Sequence, residues 1–203
     1  MKRNNHIPWE GRFDQQIKDG ILEEIDLNNI NISDHVWIPH RPVVKQEQQV
    51  TTKVRPVLNA SLKRGNACSL NEAAFPGVDL MNDLLKLLIG IRHDNYLVIS
   101  DIKAAFLQIH LKNDFDKNKF SVLFRDSYGN LRAYRYCTLV FGFVPSPFIL
   151  HYVIKHQLKQ FPMDKCRYLL ENMMYVDNLF ITGNSPSELI DLYQGTNNLM
   201  QSG

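Results

Sequence analysis

The chain has 203 residues, 44% of them hydrophobic, which is enough to bury a core and predicts one or two compact units. Lys and Arg number 23 against 21 Asp and Glu, so the net charge of +2 neither requires nor excludes a nucleic-acid partner. No apolar run approaches the ~18 residues that span a membrane, and the polar residues 1–6 do not form a signal peptide.

The first half of the chain is predicted to contain a helix, then strands, then a second helix. Apolar residues at helical spacing predict an amphipathic helix over residues 13–25. Residues 36–38 and 54–58 have strand patterns. Leucines and isoleucines recur at helical spacing over residues 80–92 and predict a buried helix.

The second half combines hairpins with helices. Residues 120–124 and 131–136 predict a β-hairpin closed by a glycine-containing loop. Ser146 and Pro147 predict a helix that runs to about residue 159, with the serine as N-cap. A capping box beginning at Ser185 starts a last helix. Helices mixed with antiparallel strands predict an α+β fold.

Two acidic sites, far apart in the chain, are the main functional signal. Asp101 closes an apolar strand over residues 96–100, and Asp177 and Asn178 interrupt a second apolar stretch, where they suit a hairpin turn. A carboxylate at the end of a buried strand is costly unless it is hydrogen-bonded or binds a cation. Asp101 alone would more often be a strand-end aspartate that caps the following turn. Both together, gathered by a sheet, predict a magnesium site for phosphoryl transfer.

Five short segments occur in the order and spacing of a known family. They are residues 53–61, 101–109, 139–143, 146–148 and 175–178. Each alone is weak, but together they resemble the reverse transcriptases. The match extends over most of residues 35–203. With Ser69-Leu70-Asn71 and Pro76-Gly77, it is most similar to the polymerase of Pao/BEL-type long-terminal-repeat retrotransposons.

This resemblance implies the fingers and palm of a right-hand polymerase, with an antiparallel palm sheet backed by helices. The fingers would comprise residues 1–75 and 112–145, and the palm residues 76–111 and 146–203. We expect the thumb, RNase H and integrase to lie outside the chain. The expected partners are a primed RNA or DNA template and deoxynucleoside triphosphates, with no membrane, in an intracellular and cytoplasmic setting.

The family pattern assigns the acidic sites to metal binding and catalysis. Asp101 and Asp177 resemble the two metal-bridging aspartates, and the backbone carbonyl of Ile102 would be a further ligand. Asn178 replaces the last aspartate of the usual motif, so it offers an amide oxygen without charge. Tyr175 would support the primer end. The implied cofactor is a pair of Mg²⁺ ions, with Mn²⁺ as an alternative.

The residues that the resemblance assigns to the incoming nucleotide are Lys53, Arg55, Ala104, Ala105, Phe106 and Phe141. The two basic side chains would grip the triphosphate and the two alanine amides would face it. Phe106 would exclude a 2′-hydroxyl as a steric gate. Phe141, where retroviral enzymes have glutamine, would pack on the sugar or template base. Taken alone, the basic pair fits a charged edge strand and Phe106 a core residue.

Two other readings remain open. Asn178 and the expected missing thumb favour a catalytically weak or inactive remnant that only binds nucleic acid, and a third reading is an interaction scaffold. The chain also contains histidines without the spacing of a zinc site, predicted to lie on helix surfaces or strand edges. They are His35, His40, His151 and His156.

Overall fold

The computed structural model describes residues 10–44, 54–126 and 128–202. The helices are α1 (Glu10–Lys18), α2 (Leu70–Ala73), α3 (Leu84–Gly90), α4 (Asp114–Lys117), α5 (Ser146–Leu158), α6 (Lys165–Asn172) and α7 (Pro186–Gln201). The strands are β1 (Leu22–Ile25), β2 (His40–Val44), β3 (Val54–Leu58), β4 (Tyr96–Asp101), β5 (Ser121–Arg125), β6 (Leu131–Tyr136), β7 (Met174–Tyr175) and β8 (Asn178–Gly183). Within the described part of the chain, no helix is long and apolar enough to cross a membrane.

The chain divides into two compact units. Unit 1 comprises Met1–Phe75 and Phe106–Ser146, and unit 2 comprises Pro76–Ala105 and Pro147–Gly203. Unit 1 contains an antiparallel sheet of order β1-β6-β5 and the antiparallel pair β2-β3. Unit 2 contains an antiparallel sheet of order β4-β8-β7. Helices α6 and α7 pack against β8, so this second sheet is backed by helices.

The core of unit 1 forms around aromatic side chains. Phe13 on α1 is 2% exposed and stacks on Phe124 of β5, with ring centroids 5.1 Å apart. The predicted hairpin is confirmed, since β5 and β6 pair in register from Ser121 to Arg125. Burial of apolar side chains from α1 and from the strands β1, β3, β5 and β6 stabilises this unit.

The predicted helix over residues 13–25 is wrong beyond Lys18. Gly20 adopts a left-handed φ of 69°, and its N–H donates to the Ile17 carbonyl, which ends the helix. Leu22 begins β1, which pairs with β6. The apolar spacing continues across the break because strand and helix both turn their apolar side chains into one core. The predicted strand over 36–38 is reduced to a single bridge between Trp37 and Ser121.

The helix predicted over residues 80–92 is confirmed at Leu84–Gly90, but the prediction that it is buried is wrong. Helix α3 begins after Asp83, whose carboxylate caps it by accepting from the Lys86 N–H. Leu87 is its buried residue, whereas Leu85 is 68% exposed and Ile89 63% exposed. The apolar side chains of α3 point outward on all of its faces, but the rest of the unit packs against only one face.

The predicted helix starts are found within one residue. Helix α5 begins at Ser146, whose hydroxyl donates to the Val140 carbonyl at 2.8 Å. The serine therefore fastens the start of the helix to the preceding loop instead of acting as the predicted N-cap. Ser185 does cap α7, accepting from the Glu188 N–H, while the Glu188 carboxylate accepts from the Asn184 N–H.

Candidate functional site

The sheet of unit 2 brings the two acidic segments together. Asp101, the last residue of β4, pairs directly with Asn178, the first residue of β8. The Ile102 N–H donates to the Asp177 carbonyl at 2.9 Å. Tyr175, at the end of β7, pairs with Asn178 from the other side. All five of these residues therefore lie at one end of one antiparallel sheet.

The hairpin turn at this end contains Val176 and Asp177, not the predicted Asp177 and Asn178. Asn178 is already paired within β8, so the turn lies one residue earlier. Val176 adopts a left-handed φ of 57°, which is unusual for a β-branched residue. Such a conformation costs about 1–3 kcal/mol and persists only where surrounding contacts hold it.

The oxygen atoms at this end suit a hard divalent cation. They include the carboxylates of Asp101 and Asp177, the side-chain oxygen of Asn178 and the carbonyl of Ile102, and Mg²⁺ prefers oxygen ligands. The Asn178 amide donates to Asp177 Oδ1 at 3.3 Å. Among the described residues, no three or more His, Cys, Asp or Glu side chains cluster as metal ligands. The oxygen atoms available to a metal therefore include two carboxylates, of Asp101 and Asp177, and the neutral oxygens of Asn178 and Ile102.

Strand β4 is not the buried strand that the sequence predicts. This strand pairs with β8 alone among the described strands, and its Tyr96 and Ile99 are 46% and 60% exposed. The Asp101 side chain is also exposed, whereas Asp177 is half-buried. Burial of β4 is therefore not a reason to expect a cation at Asp101. The register that places the two acidic segments side by side is the feature that favours a metal here.

The chain after Asp101 forms a tight turn. Ala104 is exposed and has a left-handed φ of 53°, and Ala105 is 1% exposed at the start of a 3₁₀ helix, Ala105–Gln108. A left-handed residue in a turn reorients successive backbone N–H groups, an arrangement that can bind anions. This local geometry is compatible with the predicted role of the two amides.

In unit 1, the residue predicted to be the steric gate contacts another residue that is predicted to bind the nucleotide. Phe106 is 8% exposed and Phe141 is 49% exposed. Their rings meet edge to face with centroids 4.8 Å apart, a favourable aromatic geometry. The exposed face of Phe141 and the buried Phe106 thus form one aromatic pair.

Sequence reasoning missed Asn71, which holds the loop that carries Phe141. Its side-chain amide donates to the Gly142 carbonyl and accepts from the Val144 N–H, each at 2.9 Å. Gly142 has a φ of 86°, so this loop needs a residue that tolerates the left-handed region. The motif Ser69-Leu70-Asn71 was part of the family resemblance, but a local pattern does not show a partner 71 residues away.

The predicted triphosphate-binding pair is only partly within the described residues. Arg55 lies on β3 opposite Val43 of β2, and its side chain is exposed. Lys53 lies outside the described residues. The predicted role of this pair therefore stays a prediction.

The prediction that His151 lies on a helix surface is wrong. It is 5% exposed on α5, and its ring Nε2 lies 2.9 Å from the Val176 carbonyl oxygen. His35 is also buried, with Nδ1 2.8 Å from the Ser121 hydroxyl. His156 is exposed, as predicted. Leu150 and Ile154, on the same helix, are buried too, so this part of α5 faces inward.

Comparison with known proteins identifies the family. The family model described as "Reverse transcriptase (RNA-dependent DNA polymerase)" matches residues 41–202. The chain belongs to the reverse transcriptase family. No match was found among curated proteins. The predicted family is thereby confirmed, while the Pao/BEL subgroup stays a prediction.

Solved structures show the same fold. The prototype foamy virus protease-reverse transcriptase matches with a TM-score of 0.66 and 17% identity, covering 94% of this chain and 21% of that one. A foamy viral protease-reverse transcriptase dRH, solved in complex with double-stranded DNA, matches with a TM-score of 0.69 and 17% identity over 97% and 29%. This reverse transcriptase chain thus spans less than a third of the solved relatives. The predicted mixed helix-and-strand fold with antiparallel sheets is confirmed.

Proposed function

We propose that this chain carries the site of an RNA-directed DNA polymerase, with residues 76–111 and 146–203 as palm and residues 1–75 and 112–145 as fingers. The observation that carries the proposal is the register at the end of the β4-β8-β7 sheet. Asp101 stands opposite Asn178, and Asp177 is bonded through its carbonyl to Ile102. This is the oxygen-rich donor set that a pair of Mg²⁺ ions, or Mn²⁺, requires.

The proposed reaction is attack of a primer 3′-hydroxyl on the α-phosphorus of a deoxynucleoside triphosphate. A new phosphodiester bond forms, the α–β phosphoanhydride bond breaks, pyrophosphate leaves and the hydroxyl proton passes to solvent. Bound divalent metal would make the hydroxyl more acidic and offset charge on the leaving group. The protein's part is to hold Asp101 and Asp177 at adjacent positions, with Ile102 and Asn178 completing the oxygen set and Tyr175 beside the primer end.

The family resemblance also assigns residues to the selection of the incoming nucleotide. The amides of Ala104 and Ala105 would face the triphosphate, and Arg55 with Lys53 would bind its charge. The buried Phe106, supported by Phe141 at 4.8 Å, would present a rigid wall to the sugar. A ribose with a 2′-hydroxyl would meet this wall, so deoxynucleotides would be preferred.

Primer extension on an RNA template tests the proposal. The wild-type chain would be compared with Asp101→Asn and Asp177→Asn, which keep side-chain shape but remove charge. Asp191→Asn, on the exposed surface of α7, is a matched control. We expect Mg²⁺-dependent extension that the control retains and that each site variant loses by on the order of 10²-fold or more. Extension that survives both site variants would contradict the proposal.

A second candidate function is binding of nucleic acid without catalysis. The observation that favours it is Asn178, which brings no charge and whose amide occupies Asp177 Oδ1. If this reading holds, wild type binds a primer–template with an affinity that falls as salt rises but does not extend it. Gain of extension in Asn178→Asp would then locate the defect at this one ligand.

A further inference from the structure

The hairpin at the proposed metal site is held through its backbone carbonyls. The Met174 carbonyl accepts from the Asn82 side-chain amide, and the Asp177 carbonyl accepts from the Ile102 N–H, both at 2.9 Å. Between them, the Val176 carbonyl accepts from His151 at 2.9 Å. Three separate segments of unit 2 therefore fix a hairpin whose flanking strands β7 and β8 share only two residue pairs.

Val176 is the residue in this hairpin that most needs such support. Its φ of 57° places a β-branched side chain in the left-handed region. If rotation about the N–Cα bond of Val176 relieved this strain, the Val176 carbonyl would leave its partner and the orientation of Asp177 would change. A hydrogen bond to that carbonyl therefore opposes this rotation.

The chemistry of the contact defines what His151 must do. A carbonyl oxygen can only accept, so His151 Nε2 carries the hydrogen and donates it. The side chain is 5% exposed, so water would not readily replace the donor, and an unpaired carbonyl would remain. Its place in the middle of α5, a thirteen-residue helix, gives the donor a rigid support.

We infer that His151 is a positioning residue of the active site, holding the strained Val176–Asp177 turn so that Asp177 and Asn178 face Asp101. This inference rests on the proposed function for its catalytic consequence, but its structural content can be measured separately. His151 touches no substrate or metal in this account and acts through the Val176 carbonyl alone.

Two conservative substitutions separate the donor from the general effect of changing a buried histidine. In His151→Gln, the side-chain Nε2 can occupy nearly the same place as the ring Nε2 and donate to Val176. In His151→Asn, the amide is one bond too short to reach. His151→Leu fills the space without any donor. Positioning by Nε2 therefore predicts that Gln rescues and that Asn and Leu do not.

The first readout needs no activity. Backbone chemical shifts of isotope-labelled protein report φ at Val176, and hydrogen exchange reports protection of the Ile102 amide. We expect wild type and His151→Gln to keep the left-handed Val176 shifts and the Ile102 protection, and the Asn and Leu variants to lose both. Retention of both signals in folded His151→Asn or His151→Leu would overturn the inference, as would their loss in a His151→Gln variant that remains folded.

The second readout is the Mg²⁺ dependence of primer extension. Loss of a group that orients a metal ligand typically weakens metal affinity by about 10–100-fold. We expect the Mg²⁺ concentration for half-maximal rate to rise about 10-fold in the Asn and Leu variants and to stay unchanged in Gln, with similar template affinity in all. An unchanged Mg²⁺ dependence with altered Val176 shifts would overturn the catalytic consequence. Absence of extension in wild type would reject the proposed function, while the shifts would still decide the positioning role.

Discussion

At the scale of single residues, Gly77 is constrained more tightly than any pattern around it suggests. It has a φ of 84°, and a Cβ built on it would lie 2.2 Å from Cγ of Phe148. Gly65 also has a positive φ, of 59°, but a Cβ there would meet nothing within 4 Å. Both glycines thus have a left-handed backbone, but only Gly77 lacks the space for a side chain.

This pair predicts different costs for the same substitution. Gly65→Ala should lower the free energy of unfolding by about 1 kcal/mol from backbone strain alone. Gly77→Ala should cost a further ~1–3 kcal/mol, because Phe148 must shift out of its packing. Urea unfolding of both variants measures the difference. Equal losses would show that Phe148 moves aside freely.

Several site residues were predictable because the family pattern includes them, among them Asp101, Asp177 and Asn178. His151 and Asn71 were not, because their roles consist of contacts to residues 25 and 71 positions away. A histidine in a helix carries no local sign of the carbonyl it will meet. Its burial depends on packing that periodicity indicates only weakly when neighbours on every side are apolar.

At the scale of elements, a cluster of charged side chains links β1, β6 and α4 in unit 1. Arg135 on β6 donates to Glu23 on β1 and also lies 2.9 Å from Asp114 Oδ1 on α4. Lys117 lies 3.6 Å from Glu23. Burial raises the pKa of Glu23, but the hydrogen bond from Arg135, with smaller effects of Cys137 and Lys117, outweighs it and lowers the pKa below its usual range.

This pKa shift predicts a pH-dependent contribution to stability. A carboxylate whose pKa is lower in the folded state stabilises the fold above its unfolded pKa of about 4.5, and loses this effect as pH falls through the lower folded value. Glu23→Gln should therefore destabilise the protein at pH 7, and this cost should shrink as pH falls below about 4.5. Urea unfolding across this range measures the gap.

Glu24→Gln is the matched control for this prediction. Glu24 also pairs with an arginine, Arg132, but the two side chains are 46% and 42% exposed. An exposed pair contributes about 0–1 kcal/mol. A Glu23→Gln cost at pH 7 no larger than that of Glu24→Gln would contradict the account.

Elements with strong local signals were predicted well, and those set by pairing were not. The β5-β6 hairpin follows from its alternating side chains and its Gly129 loop. The Val176–Asp177 turn was placed one residue late because register depends on how β7 meets β8, which one strand's sequence does not show. The exposure of helix α3 was not predictable, because a run of leucines indicates a helix but does not show how many of its faces are packed.

At the scale of the whole molecule, unit 2 exposes apolar side chains on α3. Leu84 and Leu85 are 45% and 68% exposed, and Leu88 and Ile89 are 37% and 63% exposed. Neighbouring apolar side chains in contact with water promote association. We therefore expect this 203-residue chain to self-associate as its concentration rises.

Substitution on α3 tests this expectation. Leu85→Lys with Ile89→Lys should shift the chain toward monomer in light scattering, without loss of helix content. Ile190→Lys, at an apolar residue of α7 that is 57% exposed, is the control for added charge alone. Association that is the same in the double variant and the control would show that α3 is not responsible.

The proposed function requires that Asp101 and Asp177, at the end of the β4-β8-β7 sheet, hold a divalent metal. The most direct test is selective line broadening by trace Mn²⁺ in amide spectra of the labelled chain. We expect the amides of Asp101, Ile102, Asp177 and Asn178 to broaden first, and Asp101→Asn with Asp177→Asn to remove the effect. Broadening centred elsewhere, or unchanged in the double variant, would contradict it.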